Sequence, residues 1–190
     1  MTPDLTQCTD RELAALALSG AQDAYREFLA RYKAPVFRLI RGHVGDEGEA
    51  MDLTQETFVA GFAALGRYDA DRPFRTWISR IALNKCRDWG RRRAVRAFFA
   101  RALPLESAYD VAGDSPALDV EAADRAELAR VQRAIADLPV NLREIIVLRG
   151  VEELSQAETA ELLNVSEKTV ETRLYRARAK LRAMLGATGE

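Results

Sequence analysis

The stretch LSQAETAELLNVSEKTVETRLYRARAKL, residues 154–181, carries the signals for two short helices joined by a tight turn. Ser155 followed by Glu158 has the spacing of a capping box, which predicts a helix that starts directly after the serine. Asn164 stands where that helix must stop, because asparagine tolerates the left-handed conformation of a helix C-terminus. Ser166 is a second N-cap, and it predicts another, longer helix.

The second helix of this stretch has an apolar face and a basic face. Val170, Leu174, Ala177 and Leu181 recur at the spacing of one face of a 3.6-residue period. From residue 172 to residue 182 there are five basic residues and no acidic one. Such a pair of helices is typical of a helix-turn-helix, whose second helix enters a DNA major groove. The expected DNA-binding residues are Lys168, Thr169, Thr172, Arg173 and Arg176. The alternative is an ordinary amphipathic helix with a solvated charged face.

Composition predicts an all-α protein with enough apolar residues for a core. Of the 190 residues, 48% are hydrophobic and 30% are charged. Alanine, leucine, arginine and glutamate, which dominate, all favour helices. No apolar run approaches the roughly 20 residues of a membrane span, so we expect no direct membrane insertion. The N-terminus lacks the features of a signal peptide, and two distant cysteines, Cys8 and Cys86, suit a reducing cytoplasm better than a metal site. We expect no cofactor.

Charge is segregated along the chain although the net charge is only −1. Between residues 74 and 102 there are nine basic residues and one acidic residue, whereas residues 103–127 contain seven acidic residues and one basic residue. The acidic stretch also contains two prolines and a glycine and has little helical periodicity, which indicates a flexible linker. The sequence therefore predicts two small helical domains, residues 1–100 and 122–190, joined by an acidic linker at residues 101–121.

Apolar periodicity and end signals predict four helices in the first domain and two before the helix-turn-helix. Those of the first domain are residues 10–18, 21–43, 49–65, and 74–93 or beyond. The two preceding the helix-turn-helix are centred on residues 128–138 and 142–148. Short helices of this kind, with apolar faces, pack as helical bundles.

The predicted helix at residues 74–93 offers a second surface for DNA. Its polar stripe consists of Arg80, Asn84, Arg87 and Arg91. Arginines there would bind phosphates, which gives affinity without sequence information, while an asparagine amide can recognise a base edge. A plain solvent-facing role for Asn84 is the alternative. Trp77 and Trp89 could stack on unpaired bases, although the apolar neighbours of Trp77 favour burial in the core.

Nothing in the chain indicates catalysis. There is no glycine-rich phosphate loop, no nucleophile elbow and no paired histidine and carboxylate motif. Asp52 and Glu56 lie one helical turn apart, but the partners that a hydrolytic site needs are missing. The other interpretations of these two carboxylates are a favourable interaction with the helix N-terminus or a surface for docking a partner. We therefore expect a protein that is not an enzyme.

Four stretches together resemble the extracytoplasmic-function (ECF) group of bacterial RNA polymerase sigma factors, the small type with only sigma domains two and four. They are DLTQETF (residues 52–58), FRTWISRIALNKCRDWGRRR (74–93), LPVNLREIIVLRGVEELS (138–155) and VSEKTVETRLYRARAKLR (165–182). The first is similar to the family's D-x-x-Q-E-x-F signature. The second is similar to its F-x-T-W pattern with a following Asn and paired Arg, and the last two resemble the halves of domain four.

This resemblance implies partners and residue roles. The helix with Asp52, Gln55, Glu56 and Phe58 would dock on the clamp helices of the β′ subunit of core RNA polymerase, with the β subunit as a further contact. The segment at residues 74–93 would bind the −10 promoter element, with Asn84 near a flipped-out base. The helix at residues 167–182 would bind the −35 element. A cognate anti-sigma factor would hold the protein inactive.

Two positions depart from the family pattern. Glu171 stands where many relatives carry Arg or Lys, and a carboxylate there repels phosphate but can accept a hydrogen bond from cytosine. Thr159 replaces a common isoleucine, which should weaken packing slightly. Two other functions stay open from the residues alone: an autonomous helix-turn-helix regulator that needs no polymerase, and a protein-interaction module with no role on DNA.

Overall fold

The computed structural model of the chain describes residues 4–102 and 120–186. Within these ranges the regular elements are helical and no strand is present, so the all-α prediction is confirmed. The α-helices are α1 (Asp10–Leu18), α2 (Gln22–Val44), α3 (Glu47–Ala63), α4 (Phe74–Ala102), α5 (Val120–Ala136), α6 (Val140–Ile146), α7 (Gln156–Leu163) and α8 (Glu167–Gly186). Two 3-10 turns, Leu5–Gln7 and Leu65–Arg67, and a π-helical segment, Val147–Val151, complete them.

The ends of the predicted linker belong to helices. Residues 101 and 102 are the end of α4, and residues 120 and 121 are the start of α5. The rest of the predicted flexible acidic linker, residues 103–119, lies outside the described residues. Helix α4 continues nine residues past Arg93, since none of the intervening residues is a glycine or proline.

Helix ends follow the local chemistry of the chain. The predicted first helix begins after Thr9, whose side chain forms a capping box with Glu12. The acidic turn before α3 supplies Asp46 as an N-cap, whose carboxylate accepts a hydrogen bond from the Glu49 amide at 2.8 Å. Helix α2 ends at Gly45 with φ of +75°, a conformation that favours glycine.

The core of the N-terminal helices is built around aromatic rings. Phe74, at the start of α4, is fully buried and stacks on Phe28 of α2 with a centroid distance of 4.1 Å. Tyr32, Tyr68 and Trp77 surround the same ring at 5.0–5.4 Å. Because these rings come from α2, α4 and the loop before α4, they fix the direction in which α4 leaves the core.

The C-terminal helices form two smaller apolar clusters around α8. Ala177 of α8 packs with Leu138 and Ile146, and Val170 packs with Ile145 and Ala160. The predicted apolar face of α8 is therefore its buried face. It fixes α8 against α6 and α7, while residues on the other side of α8, such as Thr172 and Arg176, are exposed.

The N-terminal and C-terminal helices pack directly on one another. Four C-terminal residues belong to the cluster that fills α1–α4, namely Val147, Leu148, Leu154 and Leu162. The approach is close at Gly42 of α2, where a Cβ atom would lie 3.0 Å from Val147 Cγ2. The two halves of the chain thus share an apolar contact that the sequence, read as two separate domains, did not predict.

His43, near the end of α2, is buried and uncharged. Its Nδ1 lies 2.8 Å from the Leu39 carbonyl oxygen, which can only accept, so Nδ1 carries the proton. Its Nε2 has no hydrogen-bond partner among the described residues. Burial disfavours the charged ring and lowers the pKa of His43 to about 4.

Acid is therefore expected to destabilise the fold through His43. In the unfolded chain the His43 ring takes up a proton near pH 6.5, whereas in the folded chain it does so only near pH 4. The free energy of unfolding is therefore highest above pH 6.5 and decreases as the pH falls towards 4. The loss should reach about 2 kcal/mol by about pH 5. Urea unfolding at several pH values tests this against His43→Asn, which can still donate to Leu39 but does not titrate. Parallel pH profiles in the two proteins would contradict the assignment.

Candidate functional site

The helix-turn-helix has the local geometry that its sequence predicts. Ser155 and Glu158 form the capping box of α7, with the Ser155 amide donating to Glu158 Oε2 at 2.7 Å. Asn164 ends α7 in the left-handed region, with φ of 54° and ψ of 51°. The Ser166 hydroxyl accepts a hydrogen bond from the Thr169 amide at 3.2 Å and caps α8. These local bonds fix the angle between α7 and α8.

The outer side of α8 presents the residues predicted to contact DNA. Lys168, Thr172 and Arg176 are exposed, and Thr169 and Arg173 are half-buried. Two of the hydroxyls are engaged locally: Thr169 Oγ1 lies 2.8 Å from Ser166 Oγ, and Thr172 donates to the Lys168 carbonyl at 2.9 Å. Sequence reasoning missed Tyr175, which is 76% exposed on this helix. Its position outside the stripe of Val170, Leu174 and Ala177 was the signal that could have identified it.

The predicted stripe on α4 is turned towards the C-terminal helices. Arg87 Nε donates to Glu144 Oε1 of α6 at 2.6 Å, and Arg80 Nη2 lies 3.5 Å from the Glu161 carbonyl oxygen of α7. Asn84 is exposed, and its Oδ1 accepts a hydrogen bond from Arg87 at 3.3 Å. A hollow of about 740 Å³ separates this stripe from residues 160–166. Arg91, further along, pairs with Asp88 on the same helix.

The two tryptophans serve the core. Trp77 packs against Tyr68 and Phe74 with ring centroids 5.3 Å away in each case, which agrees with the preference for burial. Trp89 is 9% exposed, and its Nε1 donates to Glu49 Oε2 at 2.8 Å. The expectation that Trp89 could stack on unpaired bases is wrong for this conformation, because its ring is covered and its polar atom is satisfied.

Helix α3 presents an acidic face on the opposite side from its core residues. Asp52, Gln55 and Glu56 are exposed, and Lys85 Nζ of α4 lies 3.0 Å from Glu56 Oε2. Phe58, predicted to belong to the polymerase-binding set, is instead buried at 4% exposure and supports α3 from within. Val59 is the apolar residue of this face that sequence reasoning missed, and it is 72% exposed.

An apolar groove of about 700 Å³ runs beside this face between α2 and α3. Its lining includes Leu29, Phe37 and Met51, with Gln55 at its edge. Met51 is 48% exposed, although the sequence of α3 suggested only an acidic surface there. The face of α3 therefore combines carboxylates with accessible apolar area.

Comparison with known proteins identifies the family. Residues 28–96 match the family model of Sigma-70 region 2, and residues 128–181 match that of Sigma-70, region 4. The RNA polymerase sigma factor CnrH of Cupriavidus metallidurans is 45% identical over 184 residues, which cover 95% of this chain and 96% of CnrH. The ECF RNA polymerase sigma factor SigW of Bacillus subtilis is 33% identical over 171 residues, which cover 87% of this chain and 91% of SigW. The chain belongs to the ECF sigma factors.

Solved structures agree with this assignment. CnrH in complex with the cytosolic domain of CnrY aligns with a TM-score of 0.68 and 39% identity, over 94% of this chain and 97% of that one. The sigma factor RpoE bound to the anti-sigma factor NepR from Bartonella quintana aligns with a TM-score of 0.65 at 20% identity, over 85% and 96%, and shows the shared fold. As an ECF sigma factor, the chain directs promoter-specific transcription initiation.

Glu171, which departs from the family pattern, has an ion-pair partner on the same helix of this sigma factor. Lys168 Nζ lies 3.2 Å from Glu171 Oε2 one turn earlier on α8, and both side chains are exposed. The lysine charge offsets the carboxylate, so the outer face of α8 stays compatible with phosphate. An exposed pair of this kind contributes little to stability and can separate at small cost.

Within the described residues, Thr159 of the sigma factor places an unpaired hydroxyl in the interior beside α7. The residue is fully buried, and its hydroxyl has no hydrogen-bond partner among the described residues. Thr159→Val removes the unsatisfied group with almost no change of shape, and it should raise the free energy of unfolding by about 1 kcal/mol. Denaturant unfolding measures this against Thr57→Val, whose equally buried hydroxyl donates to the Leu53 carbonyl at 2.7 Å. The control should lose stability, and the same sign for both variants would contradict the argument.

In the described part of the sigma factor, no group of three or more His, Cys, Asp or Glu side chains could hold a metal ion, and no helix has the length and apolar character of a membrane span. Cys86 is buried, and burial raises the pKa of its thiol to about 12. A thiol that stays protonated is a poor nucleophile, which disfavours Cys86 as a redox sensor.

Proposed function

We propose that this sigma factor is a two-point promoter clamp carried by core RNA polymerase, with domain two at residues 1–100, a linker at 101–121 and domain four at 122–190. One observation carries the proposal: the acidic, partly apolar face of α3 is separate from the two basic helix faces on α4 and α8. An acidic face is unsuited to DNA and suited to a protein partner, whereas basic helix faces attract phosphate. The chain acts through these surfaces and is not itself an enzyme.

The α3 face is the polymerase-docking surface. Asp52, Gln55 and Glu56 present two carboxylates and an amide at spacings of three and four residues, so they point to one side of the helix. Val59 continues the same side with exposed apolar area. A helix of this kind fits the side of a coiled coil, and the β′ clamp helices are the proposed partner, with the β subunit as a further contact.

Helices α4 and α8 bind the two promoter elements. On α4, Asn84 is the residue proposed to recognise a flipped base of the −10 element, because its amide can both donate and accept, while Arg80, Arg87 and Arg91 hold phosphates. On α8, the residues proposed to contact the −35 element are Lys168, Thr169, Thr172, Arg173 and Arg176. Linkage of two weak contacts raises the effective concentration of the second.

The sigma factor is proposed to work in the cytoplasm under control of a cognate anti-sigma factor. CnrH, which is 45% identical over nearly the whole chain, has been solved with the cytosolic domain of CnrY. The two free thiols, Cys8 and Cys86, suit a reducing compartment. Core polymerase and promoter DNA, the other proposed partners, are found in the same compartment.

In vitro transcription with core polymerase tests the proposed function. The template is the promoter region mapped by transcript sequencing after overexpression of the chain. Arg173→Ala with Arg176→Ala should lower the promoter-specific product at least tenfold, at about 1–3 kcal/mol for each lost contact. The control is Arg178→Ala with Arg182→Ala, exposed residues further along α8.

Three results separate the sigma-factor role from its alternatives. Product only in the presence of both chain and core polymerase supports the proposal. Tight operator binding by the chain alone, without a need for polymerase, would favour an autonomous regulator instead. Full transcription by the Arg173 and Arg176 variant would exclude the proposed role of α8.

A further inference from the structure

The side of the N-terminal helices that carries the proposed −10 contacts is covered by glutamates of the C-terminal helices. Arg87 Nε lies 2.6 Å from Glu144 Oε1. Arg75 Nη2 donates to both Glu152 Oε2 and the Glu152 carbonyl oxygen, at 3.1 and 2.9 Å. Arg72 Nη1 donates to Glu161 Oε1 at 3.2 Å, and Arg38 Nε lies 3.3 Å from Glu152 Oε1. Three carboxylates thus occupy four arginines in the basic half of the protein.

Two of these carboxylates are buried where the halves meet. Glu144 is 4% exposed and Glu152 is 6% exposed. Glutamates are almost never buried unless they are paired, and here the paired arginines all come from the other half of the chain. The glutamate positions are therefore stable only while the two halves are together.

The arginine partners define what else could take the place of the glutamates. An arginine that holds a carboxylate through charge-assisted hydrogen bonds offers the same donors to a phosphate. Asn84 lies between Arg80 and Arg87, and residues 160–166 form the opposite wall of the hollow that these side chains line, so a strand that reached Asn84 would have to enter this hollow. Arg87, which holds Glu144, cannot give the same donors to a phosphate while this pair persists.

We propose that Glu144, Glu152 and Glu161 form an intramolecular mimic of DNA phosphates, a glutamate latch that keeps the free sigma factor closed over its −10-binding face. The proposal rests on the proposed DNA-binding role of α4. In the closed state only the open fraction of molecules can bind DNA, so the apparent affinity is reduced by that fraction. Polymerase, by separating the two domains, would release the latch.

Gly42 provides a way to open the latch without altering any charge. The atoms nearest to a Cβ built there all belong to the Val147 side chain, with its two methyl carbons at 3.0 and 3.1 Å. Val147 is fully buried and belongs to the C-terminal half. Gly42→Ala would therefore force Val147 to shift and weaken the contact between the halves, while alanine strengthens α2 by its higher helix propensity. Gly42 lies outside the residues proposed to bind DNA or polymerase.

The latch is tested on the free full-length protein with two kinds of opening variant. One is Gly42→Ala, and the other is Glu144→Gln with Glu152→Gln, which keeps the side-chain shapes but removes two charges. Glu153→Gln, an exposed neighbour, controls for charge removal at the surface. The probe is a fluorescein-labelled single-stranded oligonucleotide of mixed sequence, followed by fluorescence anisotropy. Both opening variants should bind it about tenfold more tightly than the native chain, and the control should not.

Small-angle scattering supplies the second measurement. The native chain should have a radius of gyration near the compact value of about 16 Å for its length, and both opening variants should exceed it. Increased salt should raise the radius of gyration of the native chain, because it screens the exposed Arg72 and Glu161 pair and weakens the other ion pairs. Circular dichroism confirms that the helices persist in every variant.

The outcomes separate the latch from the function on which it rests. Native-like affinity and native-like dimensions in both folded opening variants would overturn the latch. Opening without tighter binding would overturn the phosphate mimicry. If Arg80→Ala with Arg87→Ala fails to weaken binding in the Gly42→Ala background, the proposed DNA contact of α4 is wrong, whereas loss of promoter-specific transcription belongs to the separate polymerase assay.

Discussion

Replacement of Phe74 by alanine is expected to lower the free energy of unfolding by about 3–5 kcal/mol, the range for losing an aromatic side chain from a packed core. The ring is fully buried and stacks on Phe28 at 4.1 Å. Tyr32, Tyr68 and Trp77 enclose it at 5.0–5.4 Å. Since these rings belong to two helices and a loop, they cannot all move into the cavity that alanine leaves.

Urea unfolding followed by near- and far-ultraviolet circular dichroism measures the loss. Phe98→Ala is the matched control, because Phe98 lies on the same helix but is 69% exposed. The same chemical change there should alter stability by no more than about 0.5 kcal/mol. Equal losses in the two variants would show that the ring cluster is not the centre of the fold.

Local chemistry made much of the fold predictable. The capping box at Ser155 and the left-handed stop at Asn164 depend on a few neighbouring residues, and the structure contains both. The buried face of α8 followed from apolar spacing alone. Such features need no knowledge of what the helix packs against, so single-sequence reasoning could identify them.

Contacts between distant residues were not predictable in this way. Trp89 and Phe58 are aromatic residues that could serve at a binding surface, and only the packing of α2, α3 and α4 against one another buries them. Glu144 of α6 and Glu152, which follows the π-helical segment, carry no local signal for burial, and their burial depends on arginines 57 and 77 residues away. The closed arrangement of the two halves depends on these long-range pairs, which no local pattern encodes.

The candidate interfaces differ in how far the sequence could define them. On α3 the exposed and buried sides could be separated by spacing, but the exposed Val59 and Met51 were not anticipated. The buried threonines of this helix are satisfied internally, since Thr54 and Thr57 each donate to a carbonyl one turn earlier at 2.7 Å. The inner side therefore holds α3 firmly, and the outer side needs no rearrangement to meet the proposed partner.

Charge reversal at Asp52 is expected to remove most polymerase binding. Asp52 is exposed, so lysine there should leave the fold intact. It would place a cation beside Gln55 and Glu56, in the face proposed to meet the β′ clamp helices. Losing one charge contact and creating a repulsive one should weaken binding to core polymerase about 100-fold, or about 2.7 kcal/mol, within the range for charged interface residues.

Fluorescence anisotropy of the labelled sigma factor titrated with core polymerase measures this loss. Asp23→Lys is the matched control, because it makes the same reversal at an exposed position of α2, away from the α3 face. It should bind polymerase as the native chain does. Circular dichroism and oligonucleotide binding should be unchanged in Asp52→Lys, since neither the core nor the basic faces of α4 and α8 are altered. Unchanged polymerase affinity in Asp52→Lys, or an equal loss in Asp23→Lys, would place the docking surface elsewhere, because only a local contact at Asp52 can separate the two variants.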